Sequence, residues 1–263
     1  MPKINLNGVS LYYTIKGKGV PIVFIHPPVL TSVNFNYQLD DLSKNFQVLT
    51  FDIRGHGRSS YSSHPITYQL IVDDIKRLLD YLEIKKAFIC GYSTGGSIAL
   101  EFLITSADRA LGGVVIGGMS EVLDQSLRKK ISLGAKLANA GAVPLLAWSI
   151  SWSNSKNTLK LFKKMVTEAR KGDSRNIEQY YRYSLDYNCT NQLNQIALPV
   201  LLIYGKKDKP FHSYAKQLHK KLPVNELKFI ENADHHIPTD AAKELNELIF
   251  QFVSLQHNNN EDD

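Results

Sequence analysis

Six short runs of aliphatic, β-branched and aromatic residues constrain the fold of this 263-residue chain most strongly. They occupy residues 21–25, 47–51, 86–90, 113–116, 200–204 and 226–230. Runs that are apolar on both faces are typical of strands buried in a parallel sheet. Parallel strands need crossover connections, and helical patterns separate these runs. The sequence therefore predicts an α/β fold with a doubly wound, mostly parallel sheet.

The helical patterns are clearest between the second and third apolar runs and at the end of the chain. From Tyr68 to Leu82 apolar residues recur at steps of three and four, with charged residues opposite them. A similar pattern follows Pro238. The first 16 residues alternate instead like a β-hairpin.

Residues 119–194 interrupt the alternation of strands and helices. Their pattern is helical and rich in bulky aromatic residues, including Trp148 and Trp152. We interpret them as an inserted helical cap over the carboxyl ends of the strands, where open α/β sheets bind ligands. The core would then comprise residues 1–118 and 195–255, and residues 256–263 would form a flexible tail.

Composition excludes several classes of protein. With 43% hydrophobic and 21% charged residues, the chain is neither disordered nor fibrous. Its apolar stretches are much shorter than the roughly 18 residues that a membrane span needs. The first residues show no apolar secretion segment, and two cysteines make no disulfide framework. We expect a cytoplasmic protein, monomeric or homodimeric, without an integral membrane segment.

The net charge of +6 resides in the predicted cap. Residues 121–190 contain 12 basic and six acidic residues, so the rest of the chain is balanced. Such an excess could attract an acidic substrate, a nucleic acid or an anionic membrane surface. No recognition motif accompanies it, so we favour a solvated helical face and expect no nucleic-acid partner.

The sequence Gly91-Tyr92-Ser93-Thr94-Gly95-Gly96 lies between a predicted strand and a predicted helix. A serine in this strand–turn–helix context is typical of a nucleophile elbow, in which a strained turn exposes the hydroxyl. Gly91 and Gly95 leave room for the backbone to turn sharply. The alternative is an ordinary glycine turn at a strand–helix junction. We predict that Ser93 is a catalytic nucleophile.

A serine nucleophile needs an imidazole base and a carboxylate that orients the imidazole. Asp208 follows the predicted strand 200–204, and His235 and His236 follow the strand 226–230. Only one of these neighbouring histidines can face Ser93. Asp234 is too close in sequence to orient His235 easily, so Asp208 is the better acid, with Asp124 as a weaker alternative. The order Ser, Asp, His matches that expected for a strand-end triad.

Together these motifs resemble the α/β-hydrolase fold superfamily over nearly all of the chain outside the cap. Residues 51–59 (Phe-Asp-Ile-Arg-Gly-His-Gly-Arg-Ser) resemble the turn after the fourth strand of that family. Residues 204–208 resemble its acid loop, and residues 233–238 resemble its Gly-x-His-x-x-Pro loop. The resemblance implies that the catalytic histidine is His235, three residues before Pro238.

One loop departs from the family pattern. The family usually has His-Gly followed by a residue whose backbone N–H forms half of the oxyanion hole, whereas this chain has His26-Pro27-Pro28-Val29. Proline has no backbone N–H. The N–H of Thr94 remains as one oxyanion donor. The second must come from Val29 or from a side chain, or it is missing, and we assign it to Val29. Pro28, Trp148 and Trp152 are predicted to contact the substrate.

The resulting hypothesis is a serine hydrolase that cleaves a small ester, thioester, lactone or amide through an acyl-enzyme. The cap aromatics suggest a mainly apolar acyl or aromatic substrate. Carbon–carbon bond hydrolases and perhydrolases of the family use the same triad and remain alternatives. A ligand-binding or regulatory protein with weak activity is another. The chain has neither metal-ligand spacing nor a phosphate-binding glycine loop, so we expect no metal and no cofactor.

Overall fold

The computed structural model describes residues 2–6, 8–155 and 158–261. Within them, eight strands form one sheet in the order β1-β2-β4-β3-β5-β6-β7-β8. The strands are β1 (Lys3–Leu6), β2 (Val9–Lys16), β3 (Pro21–Ile25), β4 (Gln47–Phe51), β5 (Ala87–Tyr92), β6 (Ala110–Ile116), β7 (Val200–Gly205) and β8 (Asn225–Ile230). The first two pair antiparallel as a hairpin, and all pairs from β4 to β8 are parallel. The predicted fold class is confirmed.

Ten α-helices accompany the sheet in the described part of the chain. They are α1 (Asn36–Leu42), α2 (Tyr68–Tyr81), α3 (Thr94–Thr105), α4 (Gln125–Asn139), α5 (Val143–Ser153), α6 (Leu159–Ala169), α7 (Ser174–Asp186), α8 (His212–Lys221), α9 (Ile237–Asp240) and α10 (Ala242–Glu261). The sheet separates two apolar cores. Helices α2, α3 and α8 contribute to one core, and α1 and α10 contribute to the other. Helices therefore cover both faces, as a doubly wound sheet requires.

Helix α2 shows how the sequence determines an element. The side chain of Thr67 accepts a hydrogen bond from the backbone N–H of Leu70 and caps the helix at its start. Ile71, Ile75 and Leu78 then recur at helical spacing and are fully buried against the sheet.

The order of the strands brings the loop after β3 next to the turn after β5. Strand β3 lies between β4 and β5, and Ile25 at its end is in register with Gly91 of β5. The chain continues from β3 to β4 on one side of β3 and later adds β5 on its other side. Ligands bind at such a switch point, outside the carboxyl ends of the strands.

Helices α4–α7 lie between β6 and β7, within the segment predicted as a cap, and are called the helical insert here (residues 125–186). An antiparallel bridge between Glu121 and Asn188 joins the two chain segments at its base. Helix α10 extends to Glu261, so residues 256–261 are helical where we predicted a tail. The remaining tail residues, Asp262 and Asp263, lie outside the described residues.

Among the helices of the described ranges, none combines the length and the apolar character needed to cross a membrane.

Candidate active site

Ser93 occupies a strained turn between β5 and α3. Its φ of 55° and ψ of −123° lie in a region that non-glycine residues rarely adopt. A Cβ atom on Gly91 would lie 2.0 Å from the carbonyl oxygen of Gly95, and one on Gly95 would lie 2.2 Å from that of Ile25. Only glycine fits at either position. The turn therefore has the close backbone approach expected of a nucleophile elbow.

Ser93, His235 and Asp208 lie in series at the carboxyl edge of the sheet. The Nε2 atom of His235 lies 3.1 Å from Oγ of Ser93, and its Nδ1 atom lies 2.8 Å from Oδ2 of Asp208. These are hydrogen-bond distances. With the Nδ1 proton donated to the carboxylate, Nε2 is free to accept the proton of the serine hydroxyl.

The ends of β7 and β8 hold the acid and the base in this arrangement. The N–H of Lys206 donates to the carbonyl of Ile230, and that of Lys207 donates to the carbonyl of Ala233, so the two loops are tied together. The imidazole of His235 packs against the ring of Phe211, with centroids 4.2 Å apart. Packing on one side and a carboxylate on the other restrict the orientation of the imidazole.

The other candidate acids and bases have different partners. Asp124 caps α4 by accepting from the N–H of Leu127, and it also accepts from the hydroxyl of Tyr214. His236 lines the same cavity as Ser93, but its Nδ1 atom lies 3.2 Å from Asp234. Burial, and to a lesser degree the neighbouring His235, lowers the pKa of His236. The structure thus brings His235, and not His236, to the serine.

The loop after β3 is fixed by buried polar contacts. The N–H of Ile53 donates to Nε2 of His26, 2.9 Å away, so Nδ1 of that ring carries its proton and donates to the carbonyl of Pro27. Burial lowers the pKa of His26, in keeping with a neutral ring. The hydroxyl of Tyr180, from α7, donates to the carbonyl of His26. These bonds tie the loop both to the turn after β4 and to the helical insert.

A cavity of about 230 Å³ opens at Ser93. The sheet side of its wall includes Pro27, Pro28, Leu30, Tyr92, Ser93, Thr94, His235 and His236. The insert contributes a largely apolar side, with Leu127, Ile131, Ile150, Ser153, Asn154 and Tyr181. Met119 also lines it. Thr94, the predicted oxyanion donor, and Pro28, a predicted substrate contact, both line this cavity.

Val29, predicted to supply the second oxyanion donor through its backbone N–H, is not among the residues that line the cavity. Its φ of 70° is unusual for a β-branched residue, and its side chain is fully buried in the core on the α2 side of the sheet. Pro27, Pro28 and Leu30 line the cavity from this loop instead. Of these three residues, only Leu30 has a backbone N–H.

The structure does not place Trp148 and Trp152, the predicted substrate contacts, at this cavity. Both side chains are more than half exposed, and neither lines the cavity. Their rings stack in parallel on the surface of α5, with centroids 6.0 Å apart. The residues of α5 that reach the cavity, Ile150 and Ser153, lie on another side of the helix. Helix α5 is apolar around most of its circumference, so its sequence does not indicate which side faces inward.

The structure also shows two buried polar networks around the site that the sequence analysis did not identify. Asp52, which follows β4, accepts hydrogen bonds from Ser32 and from the backbone N–H of Arg58. Arg54 forms a buried bidentate pair with Asp74 of α2. Both networks hold the turn of residues 51–59 in place.

Comparisons with known proteins agree with this architecture. The family model for the alpha/beta hydrolase fold matches residues 20–242. The AB hydrolase superfamily protein YisY of Bacillus subtilis is 26% identical to this chain, and the match covers 93% of this chain and 95% of that protein. No relative named here is similar enough for its activity to be transferred directly.

Solved structures of enzymes share the fold at lower sequence identity. The enol-lactonase from Burkholderia xenovorans LB400 has a TM-score of 0.84 at 20% identity, covering 96% of this chain and all of that one. The esterase EaEST from Exiguobacterium antarcticum has a TM-score of 0.85 at 19% identity, covering 95% and 97%. The extent of the family match, with the sheet order and the elbow, is decisive: this chain belongs to the alpha/beta hydrolase fold family.

Proposed function

We propose that the protein is a serine hydrolase that cleaves an ester, thioester, lactone or amide through an acyl-enzyme. The observation that carries the proposal is the series Asp208–His235–Ser93, joined by contacts of 2.8 and 3.1 Å at the mouth of a cavity. A hydroxyl, an imidazole and a carboxylate in this order are the groups that nucleophilic acyl transfer needs.

In this mechanism Oγ of Ser93 attacks the carbonyl carbon of the substrate while Nε2 of His235 accepts the hydroxyl proton. Asp208 stabilises the imidazolium that forms. The backbone N–H of Thr94, the first residue of α3, donates to the developing oxyanion. His235 then protonates the leaving group, and an acyl-serine remains. Water, activated by the same imidazole, hydrolyses that ester and restores Ser93.

The size and lining of the cavity favour a small, mainly apolar acyl group. A cavity of about 150 Å³ holds the six carbons of benzene, so a volume of about 230 Å³ holds about ten non-hydrogen atoms. Ile131 and Ile150 form an aliphatic wall, so a charged acyl group would lose its hydration without gaining a partner there. The names of the related enzymes, an esterase and an enol-lactonase, fit the same class of carboxylic ester chemistry.

A fluorophosphonate probe tests the proposal because it reacts with an activated serine whatever the natural substrate is. We expect stoichiometric labelling of the wild type at one site, and no labelling of Ser93→Ala. Ser153→Ala is the matched control, since Ser153 lines the same cavity but donates to the carbonyl of Ile150 and has no imidazole partner among the described residues. It should label like the wild type.

Steady-state hydrolysis of p-nitrophenyl esters of increasing acyl length then shows which acyl-chain length the enzyme prefers. A folded wild-type protein that neither labels nor turns over any of these esters would contradict the proposal and favour a ligand-binding role.

A further inference from the structure

The outer face of the helical insert carries a group of exposed large apolar side chains, called the apolar patch here. Its members are each 52–67% exposed: Leu133, Leu145, Trp148, Trp152 and Leu159. Phe162 of α6 meets both tryptophan rings edge-on, with centroids 6.3 and 5.4 Å away. Single exposed apolar residues are ordinary, but a contiguous patch on one face marks an interaction surface.

An apolar groove lies between α4 and α5 in the same face. Its volume is about 550 Å³, and four leucines line it: Leu133, Leu137, Leu145 and Leu146. Ile131, Ile150 and Tyr181 line both this groove and the cavity of Ser93. The patch, the groove and the candidate active site are therefore neighbours.

The charge around the patch has one sign. Helices α4, α5 and α6 contain seven basic residues and a single acidic residue, Glu168. The exposed lysines are Lys129, Lys130, Lys136, Lys160, Lys163 and Lys164. Glu168 is already engaged by Arg58 and Lys171. Whatever covers the patch meets a positive rim that is not neutralised within these helices.

We propose that this face docks on the surface of an anionic phospholipid bilayer. Tryptophan rings are favoured at the level of the lipid headgroups, and leucines beside them reach the upper acyl region. Lysines around them attract anionic headgroups, while their aliphatic stems lie along apolar surface. The sequence interpretation, a solvated basic face, did not include the exposed tryptophans and leucines, whose positions only the fold reveals.

Two other occupants fit the charge or the composition less well. A second copy of the chain, related by a twofold axis, would bring one lysine rim against the other, and like charges would repel. A nucleic acid would match the charge and could stack on the two tryptophans, but the leucines that line the groove offer bases neither stacking nor hydrogen bonds.

The chain provides its own probe, because both of its tryptophans belong to the patch. Tryptophan emission is measured while the protein is titrated with vesicles of phosphatidylcholine alone or with phosphatidylserine added. We expect a blue shift, and co-sedimentation, with the anionic vesicles only. Both should weaken as salt is raised, since salt screens the attraction between lysines and headgroups.

A pair of triple variants tests the location. Lys160→Gln/Lys163→Gln/Lys164→Gln keeps the tryptophans and should weaken partitioning about a hundredfold, from the attraction expected per lysine at an anionic surface. Lys216→Gln/Lys220→Gln/Lys221→Gln removes the same charge from exposed positions of α8 and should bind like the wild type.

The proposal is overturned if anionic vesicles cause no shift, if zwitterionic vesicles cause an equal one, or if the two triple variants weaken binding equally. It is also overturned if the tryptophans are already covered in a dimer that dissociates on dilution, or if only single-stranded DNA produces the shift. Circular dichroism of each variant verifies that it is folded. None of these measurements depends on catalysis, so they are independent of the proposed hydrolase activity.

Discussion

The carboxyl edge of the sheet and the helical insert form opposite sides of one cavity by different means. At the sheet edge, polar side chains are held by specific partners: Asp208 holds His235, and the Ile53 N–H holds His26. The insert presents aliphatic side chains, such as Ile131 and Ile150, whose contribution is shape. Hydrogen bonds fix atoms to within a few tenths of an ångström, whereas apolar walls tolerate rearrangement.

This difference assigns different kinetic roles to the two regions. Substitutions at the sheet edge should act mainly on kcat, because in the proposed mechanism the groups there touch the transition state. Substitutions in the insert should act mainly on the choice of substrate.

Asp208→Asn should cause the largest change. The amide keeps the size of the carboxylate but favours the wrong tautomer of His235, which lowers kcat by about 10⁴-fold in a comparable serine triad. Asp234→Asn, in the neighbouring loop beside His236, is the control and should retain kcat within a few-fold. Similar losses in both variants would show that the loop, and not the Asp208–His235 contact, determines the rate.

Pro28→Ala should increase activity. Pro28 lines the cavity and has no N–H, so the alanine supplies a donor where the family usually has one. A single oxyanion donor is worth about 10²-fold in kcat, and we expect an increase of about tenfold or more in kcat for a p-nitrophenyl ester. Pro27→Ala, at the preceding position, is the comparison. An unchanged kcat in Pro28→Ala would mean that another group, such as the N–H of Leu30, already completes the oxyanion hole.

The sheet edge could be predicted from sequence because its chemistry is local. The elbow needs glycines at fixed offsets from Ser93, and Asp208 and His235 each follow a strand that its apolar run reveals. Parallel strands end at the same edge, so three distant segments were expected to converge. The geometry places all three residues in contact distance.

The insert could be predicted only as helical. Helix α5 has apolar residues on most sides, so periodicity does not distinguish Ile150, which faces the cavity, from Trp148, which faces outward. The tertiary packing against α4 and α6 decides this. Nothing in the sequence indicates the positive φ of Val29, whose side chain is buried in the core.

Acid should destabilise the sheet edge. His26 and His56 are buried with ring centroids 5.4 Å apart, and burial lowers the pKa of His56 to about 3. The unfolded chain takes up a proton below about pH 6.5 that the folded ring refuses, so the free energy of unfolding falls as the pH decreases from 6.5 toward 3. For His56 the loss is about 2 kcal/mol between pH 6.5 and 5. Buried Asp52, whose pKa is lowered, contributes only at more acidic pH.

Urea unfolding at intervals between pH 5 and 8 measures this loss. His56→Gln should have a shallower pH dependence than the wild type over that range, even if it is less stable throughout. His219→Gln, on the exposed end of α8, is the control and should keep the wild-type slope. Parallel curves for the wild type and His56→Gln would show that this ring does not contribute.

Ile150→Ala should have the smallest effect of these variants, and the effect should be on the selectivity between esters of different acyl length. Ile150 lines both the cavity and the groove between α4 and α5, so truncation enlarges the space available to an acyl chain without touching the triad. We expect the ratio of kcat/KM for a longer p-nitrophenyl ester to that for the acetate to rise up to about tenfold, from the apolar contact that a few methylenes gain. Leu145→Ala, which lines the groove but not the cavity, should leave this ratio unchanged. A large loss of kcat on every ester in Ile150→Ala would mean that the insert positions the reacting groups as well, and the division between the two regions would fail.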